Sequence, residues 1–287
     1  MQKELKLKSY GKINLSLNIT GVLGNLHTLD MVVKSINLYD DIFFKFNDSG
    51  KILVSYSDES ILAGSDTVTK ALNLVKQKLP DLGCEVFIDK KIPLGGGLGG
   101  SSANAATVLN LFVGAGVSTA RNLTLSQDEI FNIAKQVGSD VPYMLTGGFA
   151  RIGGTGDKCE FFESGIELNI VIAKGKGGVN SGESYKEFDK MYSDKKYSPS
   201  DNDKLITALK NGDGCGVINN VGNALTKASL VLNPHIQKTL EELENFGALK
   251  TIMSGSGSCC IGIFESQNDA ALAVEKLQGK GYWACLG

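Results

Sequence analysis

A glycine-rich run between residues 93 and 102 contains the residues best suited to chemistry. It reads Pro93-Leu94-Gly95-Gly96-Gly97-Leu98-Gly99-Gly100-Ser101-Ser102, with five glycines in six positions. Because glycine has no Cβ, the backbone N–H groups of such a loop can approach a phosphate closely. Ser101 and Ser102 could cap a following helix or offer hydroxyls to a phosphate or a magnesium ion. The run indicates an anion site, with a tight turn that holds no ligand as the alternative.

Three common nucleotide-binding patterns do not account for this loop. Gly95, Gly97 and Gly100 satisfy G-x-G-x-x-G, but a dinucleotide site needs an acid about 20 residues further on. Residues 112–127 contain no Asp or Glu. The Gly-Lys-Ser/Thr ending of a Walker A loop is missing, and so are the His-Arg-Asp and Asp-Phe-Gly motifs of protein kinases. A different class of phosphate-binding protein is indicated.

The elements that must position the loop follow from hydrophobic spacing. Cys84–Ile88 is predicted as a strand leading into it, and Ser101–Phe112, rich in Ala and Leu, as a helix behind it. Such a helix directs its positive N-terminal end and unpaired N–H groups at the loop, which favours an anion.

Several other segments have clear patterns. Residues 4–19 alternate as a strand, residues 30–46 contain two short runs of strand composition, and residues 67–78 and 181–192 are predicted helices. Ser126–Val137 is a predicted helix with Ser126 as N-cap and Glu129 completing a capping box. Pro142 suits the first turn of a short helix, which would put Asp140 at or near its N-cap. A lone Asp there is usually a cap, and a lone Lys such as Lys12 is usually solvated surface.

Composition excludes several classes of protein. The 287 residues are 42% hydrophobic and 21% charged, which is typical of a globular chain. The chain has 29 Lys and Arg and 31 Asp and Glu, so it lacks an excess of positive charge and a nucleic-acid partner is not expected. With no long apolar stretch and no apolar segment at the N-terminus, we expect a cytoplasmic protein without a membrane partner. The six cysteines lack a CxxC pair, so we expect buried thiols and no zinc site or disulfide framework.

The loop resembles the Pro-x-x-x-Gly-Leu-Gly-x-Ser-Ser signature of the galactokinase, homoserine kinase, mevalonate kinase and phosphomevalonate kinase (GHMP) superfamily. Residues 9–15, Ser-Tyr-Gly-Lys-Ile-Asn-Leu, are similar to its first motif. Residues 253–258, Met-Ser-Gly-Ser-Gly-Ser, are similar to its third, a second glycine turn that in the superfamily supports the phosphate loop. The resemblance implies an α+β fold of two domains, one at 1–155 like domain 2 of ribosomal protein S5 and a ferredoxin-like one at 156–287. It also implies a small-molecule kinase that uses ATP and Mg²⁺, as a monomer or homodimer.

The resemblance assigns roles to individual residues. Asp140 would be the base that takes the proton of an alcohol, and Lys12 would keep it ionised and offset charge on the phosphoryl oxygens. The substrate would contact Asn14, His27, Ser181 and Tyr185, and Asn14 could instead hold the lysine. The residues expected to bind ATP are Thr67, Pro93, Gly95, Gly96, Gly97, Leu98, Gly99, Gly100, Ser101 and Ser102.

Three segments are similar to one branch of the superfamily, the 4-diphosphocytidyl-2-C-methyl-D-erythritol kinases. They are residues 12–17, residues 36–40 and residues 138–142, the last reading Gly-Ser-Asp-Val-Pro. That branch implies a cytidylyl methylerythritol as the alcohol substrate. Residues 22–27, Val-Leu-Gly-Asn-Leu-His, depart from the branch because Leu26 replaces a tyrosine that stacks on cytosine. The alternatives are a related kinase with another alcohol substrate and an inert nucleotide-binding paralogue.

Overall fold

A computed structural model describes residues 4–113, 124–193 and 197–287. Strands and helices are mixed along these ranges. The strands are β1 (Leu5–Leu23), β2 (Leu26–Phe46), β3 (Ile52–Tyr56), β4 (Cys84–Asp89), β5 (Phe149–Gly154), β6 (Lys158–Phe162), β7 (Asn169–Lys174), β8 (Gly222–Asn223), β9 (Lys250–Met253), β10 (Cys259–Phe264) and β11 (Trp283–Leu286). The helices are α1 (Thr67–Lys78), α2 (Gly100–Asn110), α3 (Gln127–Val137), α4 (Val141–Met144), α5 (Ser181–Tyr192), α6 (Asn202–Asn211), α7 (Gly214–Asn220), α8 (Thr226–Leu232), α9 (His235–Asn245) and α10 (Gln267–Gly279).

The chain divides into two compact units whose segments alternate along the sequence. The first unit contains residues 1–11, 39–92 and 99–147, and the second contains residues 12–38, 93–98 and 148–287. Strands β1 and β2 therefore contribute to both units, and so does the glycine loop. The boundary expected at residue 155 stays a prediction.

The first unit has one buried face on its sheet. Strand β4 pairs with β2 and with β3, so that Val86 is opposite both Phe44 and Val54. Cys84, Val86 and Ile88 are buried while Glu85 and Phe87, which alternate with them, are exposed, as the period of a strand requires. Helices α1, α2 and α3 cover the buried side, where their apolar residues share one core with the sheet.

The second unit contains two groups of paired strands. Strand β5 pairs with the first part of β2 and with β6, and β8 pairs with Ser16 and Leu17 of β1. The other sheet has the order β11-β7-β10-β9. Its strand β10 is buried at every residue and contacts helices α9 and α10. This burial explains why residues 259–264 are an almost continuous apolar run.

Most of the predicted elements are confirmed. Helices α1, α5 and the capped α3 have the expected bounds, and Asp140 occupies the N-cap of α4. Residues 26–46 form one strand, so the prediction of two short runs in 30–46 was wrong. Strand β5 pairs with residues 29–34, β4 pairs with residues 41–46, and β1 is the neighbour of β2 on the side opposite β4. Cys84, Cys259 and Cys260 are buried, as expected. Cys159 and Cys285 are only partly buried and Cys215 is exposed on α7, which corrects the expectation for these three thiols.

Across the described ranges, no helix is both long and apolar enough to cross a membrane.

Candidate active site

The glycine loop is anchored by the turn that follows β9. The carbonyl oxygens of Gly95, Gly96 and Gly97 accept hydrogen bonds from Ser258 N at 3.0 Å, Cys259 N at 3.1 Å and Ser254 Oγ at 3.1 Å, respectively. In a trans peptide the N–H points opposite to the C=O. The N–H groups of residues 96, 97 and 98 are therefore directed away from this turn. The expected partnership between the glycine loop and the 253–258 motif is present in the structure.

Backbone conformation explains the glycines at 95, 97 and 99. Their φ angles are +60°, +73° and +68°, which residues with a Cβ rarely adopt. At Gly97 a Cβ would lie 2.1 Å from the carbonyl oxygen of Ser254. Residues in the left-handed conformation alternate here with residues in other conformations. In such a segment successive backbone N–H groups point towards one concave side, where an anion can bind.

Helix α2 starts directly after the loop, and its first residue is Gly100. Its N-cap is Gly99, and no side chain caps the helix. The capping role considered for Ser101 and Ser102 is thus not found, and both lie in the first turn. Unsatisfied N–H groups at this end favour a phosphate.

Lys12 and Asn14 form a pair on β1. Lys12 is 5% exposed, and its Nζ donates to Asn14 Oδ1 at 2.6 Å. Lys12 N also donates to Leu98 O of the glycine loop at 2.9 Å. Asn14 N donates to Ser254 Oγ at 3.2 Å, so the pair is attached to both the loop and its supporting turn. Of the two roles considered for Asn14, its contact with the lysine is the one present.

Asp140 lies at the start of α4, but its side chain makes no capping hydrogen bond to that helix. An Asp at this position usually caps the helix with its side chain, and the carboxylate of Asp140 does not. Asp140 belongs to the first unit and Lys12 to the second. Their expected proximity stays a prediction.

Thr67 is the first residue of α1, where Asp66 supplies the cap. Its hydroxyl donates to Ser101 O at 2.7 Å, which links the start of α1 to the first turn of α2. The hydroxyl thus supports the helix behind the loop, and a contact of Thr67 with adenine stays a prediction.

His27 and Tyr185 lie together in the second unit. Their ring centroids are 4.7 Å apart and the ring planes differ by 21°. His27 Nε2 lies 2.8 Å from Oδ1 of Asp189. Because a carboxylate only accepts, Nε2 carries the hydrogen, and in a neutral ring Nδ1 is then an acceptor. Asp189 was not expected from the sequence, although it lies one helical turn after Tyr185 on α5, where side chains share a face.

Ser181 is the first residue of α5, and its hydroxyl is 2.8 Å from that of Ser256 in the turn that supports the glycine loop. Ser181, which is expected to contact the substrate, is therefore connected to the glycine loop through this turn. No local pattern indicates this contact, because 75 residues separate the two serines.

Cys259 packs against the loop but has no reactive character. A Cβ at Gly96 would lie 2.6 Å from its Sγ. Burial raises the pKa of the Cys259 thiol to about 12. At neutral pH the group is an uncharged thiol that fills space beneath the loop.

The described residues include no cluster of three or more His, Cys, Asp or Glu side chains suited to a metal ion. Mg²⁺ that binds together with ATP needs few protein ligands, because phosphates and water complete its shell. The hydroxyl of Ser102, in the first turn of α2 and not used as a cap, fits this requirement.

The chain matches two sequence families along most of its length. Residues 66–148 match the family "GHMP kinases N terminal domain", and residues 205–282 match "GHMP kinases C terminal". The predicted boundary at 155 falls between these ranges.

Full-length relatives agree with these matches. The chain is 32% identical to 4-diphosphocytidyl-2-C-methyl-D-erythritol kinase from Caldicellulosiruptor saccharolyticus, over 95% of this chain and 92% of the relative. It is 33% identical to the enzyme of the same name from Acetivibrio thermocellus, over 99% of this chain and 98% of the relative.

Solved structures show the same fold. A 4-(cytidine 5'-diphospho)-2C-methyl-D-erythritol kinase superposes with a TM-score of 0.78 at 22% identity, covering 98% of both chains. Homoserine kinase from Cytophaga hutchinsonii superposes with a TM-score of 0.67 at 17% identity, covering 100% of this chain and 94% of that one. With both family matches, these findings confirm the predicted two-domain α+β fold. The chain belongs to the GHMP kinase family and is an ATP-dependent kinase of small molecules.

Proposed function

We propose that this kinase transfers the γ-phosphate of ATP to the 2-hydroxyl of 4-diphosphocytidyl-2-C-methyl-D-erythritol, a step in the non-mevalonate formation of isoprenoid precursors in the cytoplasm. The observation that carries the proposal is the near full-length similarity to relatives of that name. The ring pair of His27 and Tyr185 supports it, because such flat faces with a polar edge suit a nucleobase.

In this proposal the glycine loop, from here on the phosphate loop, holds the triphosphate of ATP. The N–H groups of residues 96–98 and the uncapped start of α2 bind its oxygens. The Ser102 hydroxyl would contribute one ligand to the Mg²⁺ that accompanies ATP, and that ion would neutralise part of the charge of the triphosphate. The charge that develops in the transition state is then stabilised by groups already in place.

Lys12 and Asp140 act on the transfer itself. The acceptor oxygen forms a bond to the γ-phosphorus as the bond to the β,γ-bridging oxygen breaks, and ADP leaves. Asp140 takes the proton of the hydroxyl. Lys12, which Asn14 holds at 2.6 Å, stabilises charge on the transferring oxygens.

The cytidylyl group is bound by the second unit. Tyr185 and His27 contact the base, and Nδ1 of a neutral His27 accepts a hydrogen bond from an amino group such as that of cytosine. Ser181 contacts the substrate beside the turn that supports the phosphate loop.

A related kinase with another alcohol substrate is the second candidate. It is favoured by Leu26, which is 61% exposed and offers no aromatic face where the branch has a stacking tyrosine. Steady-state ADP release with Mg²⁺ and ATP, compared across the cytidylyl substrate, homoserine, mevalonate and sugars, separates the two. We expect the highest kcat/KM with the cytidylyl substrate. A higher value with another alcohol supports the second candidate, and ATP binding without turnover on any acceptor indicates an inert paralogue.

A further inference from the structure

Asp40 is a fully buried carboxylate in β2 whose partners lie on both sides of the phosphate loop. Its exposed fraction is 0%, although Asp is rarely buried so completely. Oδ1 accepts from Lys91 N at 2.7 Å and from Ile92 N at 2.8 Å, immediately before the loop. Oδ2 accepts from Asn104 Nδ2 at 3.0 Å, and Asn104 lies one turn into α2, the helix that follows the loop.

Lys90 and Asn104 complete this arrangement. The buried Lys90 Nζ donates to Asp40 Oδ2 and, at 3.1 Å, to Asn104 Oδ1. Asn104 Nδ2 also lies 3.3 Å from Ser9 Oγ. The amide of Asn104 is thus fixed by a donor on one side and acceptors on the other, so it holds a single orientation.

The cluster also sets where α2 begins. A Cβ at Gly100 would lie 3.0 Å from Ile92 Cγ2 and 3.3 Å from Lys90 Nζ. The backbone at the first residue of the helix therefore packs directly on the side chain of Lys90, which pairs with Asp40, and on that of Ile92, whose backbone N–H donates to Asp40. A change in Asp40 would release residues 90–92 and the start of α2 together.

We propose that Asp40 is a positioning residue that fixes both ends of the phosphate loop and thereby sets the affinity for the phosphates of ATP. The proposal builds on the role assigned to the loop under the proposed function. Asp40 touches neither ATP nor the acceptor in this proposal; it acts through the backbone of residues 91 and 92 and through Asn104. If Asp40 only stabilised the fold, its substitution would change the affinity for all ligands by the same factor.

The chain offers a matched control at the next residue. Asp41 lies on the opposite face of the same strand and pairs with Lys91 Nζ at 2.6 Å. Asp41→Asn therefore removes one carboxylate and its ion pairs with Lys91 and Lys6, and it leaves the hydrogen bonds of Asp40 to Lys91 N, Ile92 N and Asn104 in place. Asn104→Ala is the second test variant, because it removes the link to α2 and keeps the pair of Asp40 with Lys90.

The experiment compares the dissociation constants of a nonhydrolysable ATP analogue and of adenosine for wild type, Asp40→Asn, Asn104→Ala and Asp41→Asn, at a temperature where circular dichroism shows the variant folded. We expect Asp40→Asn and Asn104→Ala to raise the dissociation constant of the ATP analogue by about tenfold or more, since misplaced binding groups reduce affinity by this order. Adenosine, which has no phosphates, should bind all four proteins within about twofold, and Asp41→Asn should match wild type.

The same readouts can overturn the proposal. Two results would show that Asp40 does not act through the loop. One is an unchanged affinity of folded Asp40→Asn for the ATP analogue, and the other is an equal loss of affinity for adenosine and for the ATP analogue. If Asp40→Asn does not fold, Asn104→Ala carries the test by the same criteria. Binding is measured without an acceptor, so failure of the proposed acceptor does not affect the result.

Discussion

Gly97 in the phosphate loop and Ser254 in the turn after β9 are packed backbone to backbone. Ser254 Oγ donates to Gly97 O at 3.1 Å, and a Cβ on Gly97 would lie 2.1 Å from the Ser254 carbonyl oxygen. A side chain at residue 97 can therefore be accommodated only if the loop or the turn moves. Movement of either element would also disturb Lys12 and Asn14, which are bonded to both.

Gly97→Ala should lower kcat/KM for ATP by about 10²-fold, the effect expected when a binding group moves by about 1 Å. Gly247→Ala is the control, because Gly247 also has a positive φ of +97° but no atom lies within 4 Å of the added Cβ. It should cost about 1 kcal/mol of stability from backbone strain and leave kinetics unchanged. Equal kinetic effects of the two variants would contradict the role of the packed turn.

Asp140→Asn should lower kcat by about 10²-fold or more while the KM for ATP is kept, because it removes a positioned base and no contact with ATP. Because the side chain does not cap α4, the substitution removes no capping hydrogen bond, and the midpoint of urea unfolding separates a loss of catalysis from a loss of folding. Both quantities are measured on the same preparation.

Ser126→Ala provides the opposite pattern as a control. Ser126 Oγ accepts from Glu129 N at 3.2 Å in the capping box of α3. Its loss should cost about 1 kcal/mol of stability and leave kcat unchanged. If kcat of Asp140→Asn equals that of wild type, Asp140 is not the base.

The contrast between these two caps shows what the sequence could predict. The capping box at 126–129 is a local pattern, and the structure contains both of its reciprocal hydrogen bonds. Asp140 also has the local sequence of a cap, yet its carboxylate does not serve the helix. Local chemistry identified the position of Asp140 and left the use of its side chain open.

Contacts between distant segments could not be predicted from patterning. The bond between Ser254 and Gly97 joins residues 157 apart, and the contact of His27 with Asp189 joins residues 162 apart. Periodicity reports which residues face a core and says nothing of which segment packs there. The resemblance to GHMP kinases supplied the pairing of the two glycine motifs, while Asp40 and Asp189 emerged only from the three-dimensional arrangement.

Tyr185→Ala should raise the KM for the cytidylyl substrate by about tenfold, since a stacked aromatic pair and its buried area contribute about 1 kcal/mol or more. The KM for ATP should stay within about twofold of wild type, because the ring pair is not part of the phosphate loop. Tyr185→Phe keeps the ring and should therefore raise the KM for the cytidylyl substrate less than Tyr185→Ala does. A larger effect on the KM for ATP than on that for the acceptor would remove Tyr185 from the nucleobase site.

Stability should decrease at alkaline pH partly because of Cys84. Burial raises the pKa of this thiol from its ordinary value of 9.0 to about 12. Between these two values the unfolded chain loses the proton while the folded chain keeps it, so the contribution is present below pH 9 and is lost as the pH rises towards 12.

The corresponding measurement is urea unfolding of wild type and Cys84→Ala at pH 8 and pH 10. The decrease in stability between the two pH values should be larger for wild type by about 1 kcal/mol, from one pH unit of linkage. The exposed Cys215 serves as the control position, because Cys215→Ala should leave the pH dependence of wild type unchanged. An equal decrease in wild type and Cys84→Ala would show that Cys84 is not protected from ionisation in the folded chain.

Phosphorylation of the 2-hydroxyl of 4-diphosphocytidyl-2-C-methyl-D-erythritol can be followed by ³¹P NMR of a reaction containing the protein, Mg²⁺, ATP and this substrate. We expect the γ-phosphate signal of ATP to be replaced by that of a phosphomonoester at the 2-position, with ADP formed in equal amount and the diphosphate of the substrate intact. Unchanged ATP and substrate signals, in a preparation that binds the ATP analogue, would contradict the proposed reaction.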